Sequence, residues 1–107
     1  MANSRRVTFQ RKTQKTVKGR QVDTWAPFYT AWSDFPAASM REQEAAQNLQ
    51  LVDAITLEVR TCKKVEQMRK SLKDYRVEDR GLIYDLKSAD YSRQHEGFIR
   101  LLASRTD

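Results

Sequence analysis

The chain has one cysteine, one histidine, two prolines and three glycines in 107 residues, and its longest apolar stretches are only a few residues. With Cys62 alone, an internal disulfide is impossible and a cysteine-based zinc site has no ligands to draw on. His95 is far from Cys62 in sequence and neither lies in a recognisable nucleophile motif, so both read as structural or incidental. Nothing approaches the ~20 apolar residues that a helix needs to cross a bilayer, so no membrane contact is expected. The first twenty residues carry Arg and Lys without an apolar h-region, which argues against a signal peptide and for synthesis in a cytoplasm. Carboxylates are scattered, and the nearest cluster, Asp74, Glu78, Asp79 and Asp85, reads as acid-rich solvated turns and not as a hydrolase or nuclease centre. No catalytic residue, cofactor or metal is expected, and the chain does not read as an enzyme.

What is present is a polar but foldable composition, 39% hydrophobic and 32% charged. That is too apolar for a disordered chain and polar enough that much of it must face water or a partner. No Pro/Gly/Ser-rich linker divides residues 1–107, so a single domain with one small core is expected. The formal charge of +6 is concentrated at one end. Arg5, Arg6, Arg11, Lys12, Lys15, Lys18 and Arg20 occur before the first acid, and the remainder of the chain is almost balanced. Such a patch attracts phosphate backbones or an acidic protein surface, or else forms a solvated basic hairpin.

Alternation of apolar and polar residues over 6–12, with Val7 and Phe9 on one face, predicts the first strand. The polar, basic stretch 13–21, which holds Gly19, predicts a hairpin with a long tip before apolar residues resume at Val22 and Trp25. Between 22 and 35 the aromatics Trp25, Phe28, Tyr29, Trp32 and Phe35 predict two strand pieces with a bend or bulge near Pro27. They read as barrel core in preference to a base-stacking platform, because large aromatics dominate burial in small domains. Ser39-Met40-Arg41-Glu42 has the form of a capping box and predicts a short helix over 39–49, with Ala45, Ala46 and Leu49 as its modest apolar face. Ile55, Leu57 and Val59 alternate with Thr56, Glu58 and Arg60 in the clearest strand of the chain. In 62–73, Val65, Met68 and Leu72 fall at helical spacings amid lysines, and a helical turn and a basic loop both remain open. Residues 75–77 and 82–86 flank Glu78-Asp79-Arg80-Gly81 as a hairpin, and 98–102 forms a last, buried strand. The sum is a mainly β fold: a small antiparallel β-barrel of about six short strands, with one short α-helix after the second strand.

In this order, the features resemble the head-closure proteins (stoppers, or head-tail adaptors) of tailed phages with long non-contractile tails, over nearly the whole chain. The resemblance is carried by Val7-Thr8-Phe9-Gln10-Arg11-Lys12, a polar tip ending in Val22-Asp23-Thr24-Trp25, and an aromatic strand around Trp32. It continues in Ser39-Met40-Arg41-Glu42 with Ala46-Gln47, in the strand from Ile55 to Arg60, and in Arg76-Val77 through Arg80-Gly81-Leu82-Ile83-Tyr84-Asp85-Leu86. Gln43 and Glu44 depart from it, standing where the family usually has aromatics, and several residues between Cys62 and Leu72 look like an insertion.

The resemblance implies a structural virion protein at the head-to-tail interface, made in the host cytoplasm. It implies a homo-oligomeric ring beneath the portal and adaptor, with the tail terminator or other tail components below and packaged double-stranded DNA in the channel. The ring would close the channel after packaging and offer the tail a platform, and the free chain would be a monomer. Lys15, Lys18 and Arg20 are the candidate contacts to channel DNA or a partner. Arg41, Glu42, Gln43 and Gln47 are the candidate contacts to a neighbouring subunit or the adaptor. The rival reading is a single-stranded nucleic-acid-binding barrel, suggested by a pI near 9.7, short strands and ten aromatics.

Overall fold

The computed structural model describes residues 4–36, 43, 44, 47–49, 53–90 and 96–105. Six strands, β1 (Arg5–Val17), β2 (Arg20–Asp34), β3 (Ile55–Arg60), β4 (Tyr75–Asp79), β5 (Leu82–Asp90) and β6 (Phe98–Arg105), form one antiparallel sheet. The sheet closes into a barrel in the order β1-β2-β3-β6-β5-β4, with β4 returning to β1. Closure removes edges from the barrel wall.

The inward face of each strand follows from its alternation. Val7 and Phe9, Leu57 and Val59, Val77, Ile99, Leu101 and Ala103 are all nearly or fully buried and meet in one cluster. Helix α1 (Lys63–Arg69) answers the question left open over 62–73. Val65 and Met68 point one way at helical spacing and are buried in the same cluster, whereas the lysines stay outside. A 3-10 turn, Leu72–Asp74, leads from α1 into β4.

Residues 13–21 do not form a long tip. β1 and β2 stay paired up to Val17↔Arg20, and the turn is only Lys18-Gly19. Both turn residues have positive φ, 51° and 79°, the signature of the two-residue turn whose twist matches a hairpin. Arg80-Gly81 repeats the device between β4 and β5 with φ of 52° and 83°. An added Cβ at Gly19 would touch nothing within 4 Å, so Gly19→Ala is penalised by its backbone angle alone. The expected cost is about 1–2 kcal/mol. Amide exchange at Val17 and Arg20 should quicken accordingly, by about 5–30-fold.

β2 is one fifteen-residue strand, not two pieces. The expected irregularity near Pro27 is a bulge. Phe9 pairs with Tyr29 and Gln10 with Pro27, so Phe28 is the extra residue. Phe28 packs against Tyr75, with ring centroids 5.1 Å apart, and Phe28, Tyr29 and Phe35 lean on the core without being fully buried. Trp32 is 65% exposed, which corrects its assignment to the core: Ala31 and Ser33 take the inward positions and alternation turns Trp32 out.

Gln43, Glu44, Gln47 and Asn48 have helical backbone and are exposed. Ser39, Met40, Arg41, Glu42, Ala45 and Ala46 lie outside the described residues, as does His95. Leu49, expected on the helix's apolar face, is 60% exposed.

Candidate interaction surface

β4 accompanies β1 only between Thr8 and Arg11, and β3 pairs with β2 only at Ser33 and Asp34. Beyond Arg11 the β1–β2 hairpin therefore runs on as a two-stranded ribbon. Its six residue pairs, Lys12↔Trp25 to Val17↔Arg20, span about 20 Å at the usual rise per residue. The longest dimension of the molecule, 47 Å against 30 and 25 Å, reflects this projection.

β1 keeps its alternation through the bulge, so the face that carries Val7 and Phe9 in the barrel carries Arg11, Thr13, Lys15 and Val17 in the ribbon. Cross-strand pairing adds Thr24, Val22 and Arg20 to that face. Thr13 and Thr24 hydroxyls hydrogen-bond at 2.6 Å, and Val17 and Val22 are 48% and 43% exposed. Lys15 and Arg20 are diagonal neighbours there. The opposite face holds Lys12, Gln14, Thr16, Gln21, Asp23 and Trp25.

Of the residues singled out in the sequence, the fold brings Lys15 and Arg20 onto one face and sets Lys18 in the turn beside them, all exposed. None of the three is ion-paired among the described residues. Other cations near the ribbon root are occupied. Arg76 lies 4.4 Å from the Trp25 ring centre and donates to the Gln10 side chain at 2.6 Å, with Lys12 5.7 Å from the same ring. Lys64 lies 5.3 Å from the Phe28 ring and donates to its carbonyl at 3.2 Å. Gln43 and Gln47, at helical i,i+4 spacing, share one exposed face. Arg41 and Glu42 lie outside the described residues.

A second feature was not legible as a surface. Where β2 leaves β3, Tyr29, Trp32, Asp34, Glu58, Arg60 and Phe98 line a cleft of about 480 Å³. Arg60 lies 5.6 Å from the Phe98 ring. The sequence signal was the aromatic run itself, but only the bulge decides which members face out.

The barrel end nearest the ends of β1 and β4 is pinned by charge. Arg5 donates Nε and Nη2 to the two oxygens of Asp79, at 2.8 and 2.7 Å, and stacks 3.7 Å from the centre of Phe35. Asp79 is 2% exposed. The hydrogen bonds from Arg5 hold its carboxyl below the ordinary range, against burial, which pushes it up, and Arg80 adds a weaker attraction. Cys62 sits at the Tyr29 hydroxyl, a contact that raises the phenol above its ordinary value together with burial. The lone cysteine thus meets a tyrosine where both are half-buried.

Among the described residues, no group of three or more His, Cys, Asp or Glu side chains could hold a metal, and no helix is long and apolar enough to cross a membrane. The described residues form a closed barrel that projects a basic ribbon. The model of the phage head completion protein family matches residues 3–106, and the chain belongs to that family. It is accordingly a structural protein of the phage particle, from a family of virion parts and not of enzymes, and it assembles with other head and tail proteins. No curated protein matches the chain. Among solved structures, a chain from a "Virion of native gene transfer agent (GTA) particle" is similar with a TM-score of 0.63 at 12% identity, over 94% of this chain and 92% of that one. At that identity the likeness speaks to the fold.

Proposed function

We propose that this protein adds as a ring beneath the portal and its adaptor once the genome is packaged, closes the channel against DNA loss and presents the tail with a platform. The observation that carries this reading is the ribbon. A two-stranded hairpin standing clear of its barrel gains little stability by itself, yet it holds three cations that have no ion-pair partner among the described residues. Repeated around a ring, that modest charge becomes a dense positive lining suited to a confined polyanion. The exposed helical face at Gln43 and Gln47, with Arg41 and Glu42 nearby in sequence, is the candidate contact to the adaptor or the next subunit. The Trp32 cleft is a candidate seat for an apolar side chain of a neighbouring virion protein.

The test is electron microscopy of filled heads made with and without the protein. Heads lacking it are expected to lose DNA and to remain tailless; if they keep DNA and accept tails, the reading fails. Trp32→Ala should change folding stability by less than about 0.5 kcal/mol, as for exposed sites generally, while reducing tail joining. The single-strand-binding rival predicts instead that the free chain binds oligonucleotides with steep salt dependence and that loss of Trp32 weakens this binding.

A further inference from the structure

We propose that the side of the barrel around the 3-10 turn between α1 and β4 is a docking surface for an acidic run of a neighbouring virion protein. The inference needs only that the chain assembles with other head and tail parts, and it stands whether or not the chain closes a channel.

Two clefts of about 530 and 290 Å³ meet there across Lys12 and Tyr75. Arg11, Lys12 and Lys70 bound the larger, and Lys12, Lys73 and Lys87 the smaller. The fold gathers these cations from distant parts of the sequence. Tyr75 opens β4 opposite Arg11, which brings the turn carrying Lys73 beside β1. Lys87 is the unpaired residue of a bulge in β5, between Leu86 and Ser88.

Two carboxylates share the surface, Asp74 and Asp85. Ser71 Oγ donates to Asp74 at 2.7 Å, and Asp85 stands opposite Arg76 across the strands. None of Arg11, Lys12, Lys70, Lys73 and Lys87 is ion-paired among the described residues. The surface therefore keeps an excess of positive charge that an anionic partner would relieve.

Shape decides which anion. A duplex is convex and meets cations that stand proud of a surface, whereas these rim recesses. A single strand needs an open ring on which a base can stack. Trp25 already has Arg76 4.4 Å and Lys12 5.7 Å from its centre, and Tyr75 is 4% exposed and packs on Phe28. What remains accessible is ammonium, guanidinium and the Gln67 amide, all donors to carboxylate oxygens. Exposed ion pairs are individually weak, so the partner must offer several carboxylates in succession. The chain's one adjacent pair of acids is Glu78-Asp79, and Asp79 is buried against Arg5. A second copy does not supply the run.

The test in particles places the photo-cross-linker p-benzoylphenylalanine at Gln67, an exposed residue on the rim of the larger cleft. Irradiation should join the chain to a virion protein of another kind, through a peptide that mass spectrometry shows to contain adjacent Asp or Glu residues. An adduct at twice the 12.5 kDa chain mass, an adduct with DNA or with a peptide lacking such a run, or no adduct overturns the proposal. In the free chain, Trp32→Phe leaves Trp25 as the only indole. Octaglutamate should change its emission and octaglutamine should not. Reversing Lys70 and Lys73 together to Glu should weaken octaglutamate binding by about 10-fold, with circular dichroism unchanged, while Gln at Lys15, Lys18 and Arg20 should leave it as it was. Binding that ignores the first change and follows the second overturns the assignment to this surface.

Discussion

Arg5→Met is expected to lower folding stability by about 3–5 kcal/mol, the usual cost of stripping one partner from a buried ion pair. The loss falls on Asp79, which is 2% exposed and would keep its charge with only Arg80 nearby, 3.8 Å away on a side chain that is 71% exposed. Arg5 itself is 30% exposed, so Asp79→Asn, which leaves the cation free to meet water, should cost less. The pair also has a pH signature. The folded-state pKa of Asp79 is lowered, so its contribution is complete above the unfolded carboxylate value of about 4 and is lost as pH falls through the lowered folded value. In Arg5→Met the lowering by Arg5 is gone, and burial is opposed only by the weaker pull of Arg80, so the carboxyl moves up from its lowered position. That variant should lose the part of the acid-side decline that the pair supplies. Urea titrations of both proteins between pH 3 and 8 would decide; equal midpoints and parallel pH profiles would show that the pair contributes nothing.

The second large effect concerns DNA. Changing Lys15, Lys18 and Arg20 together to Gln should leave the barrel intact, since none of them touches the core. It should also lower the salt concentration at which filled heads lose their genome. If each cation neutralises one phosphate, the logarithmic salt dependence of retention falls by about 3 per subunit. The measurement is the fraction of full particles against salt, with tail joining scored on the same samples. Retention that follows the unmodified protein at every salt concentration would assign these side chains to water or to a protein neighbour.

The elements that line the core were legible in the sequence. Val7 and Phe9, then Ile55, Leu57 and Val59, alternate because one face of each strand is dry, and Gly81 marks its turn because few residues accept its backbone angle. The ribbon was not legible as strand for the same reason inverted. Over 12–17 and 20–25 neither face covers a core, so no apolar period appears, although Thr13, Thr16, Val17, Val22 and Thr24 all favour extended backbone. Residues 62–73 stayed ambiguous because Val65 and Met68 acquire a direction only when a barrel stands beside them. The aromatic run was misjudged at Trp32, where a shift of phase, invisible in composition, decides which rings face out. Of the candidate site, charge could be read from the residues Lys15, Lys18 and Arg20. The projection of the ribbon could not, because it depends on where β4 and β3 stop pairing with the hairpin and not on any residue type.

Phe28 works as a frame shift within one strand. From Asp34 back to Tyr29, β2 is in phase with the barrel: Ser33 and Ala31 face in, Trp32 and Thr30 out. From Pro27 to Arg20 the phase is reversed, which matches Lys15 with Val22 and Arg20 and sends Asp23 and Trp25 to the other side. Deleting this one residue while the Lys18-Gly19 turn holds its register would leave every β1–β2 pair in place and make the ladder regular, with Trp32 still outward and Arg20 still beside Lys15. What would go is the local bend and the ring that packs on Tyr75. The extra aromatic is thus absorbed at one point of the strand, as a hinge-like kink fastened to the barrel where the ribbon departs from it.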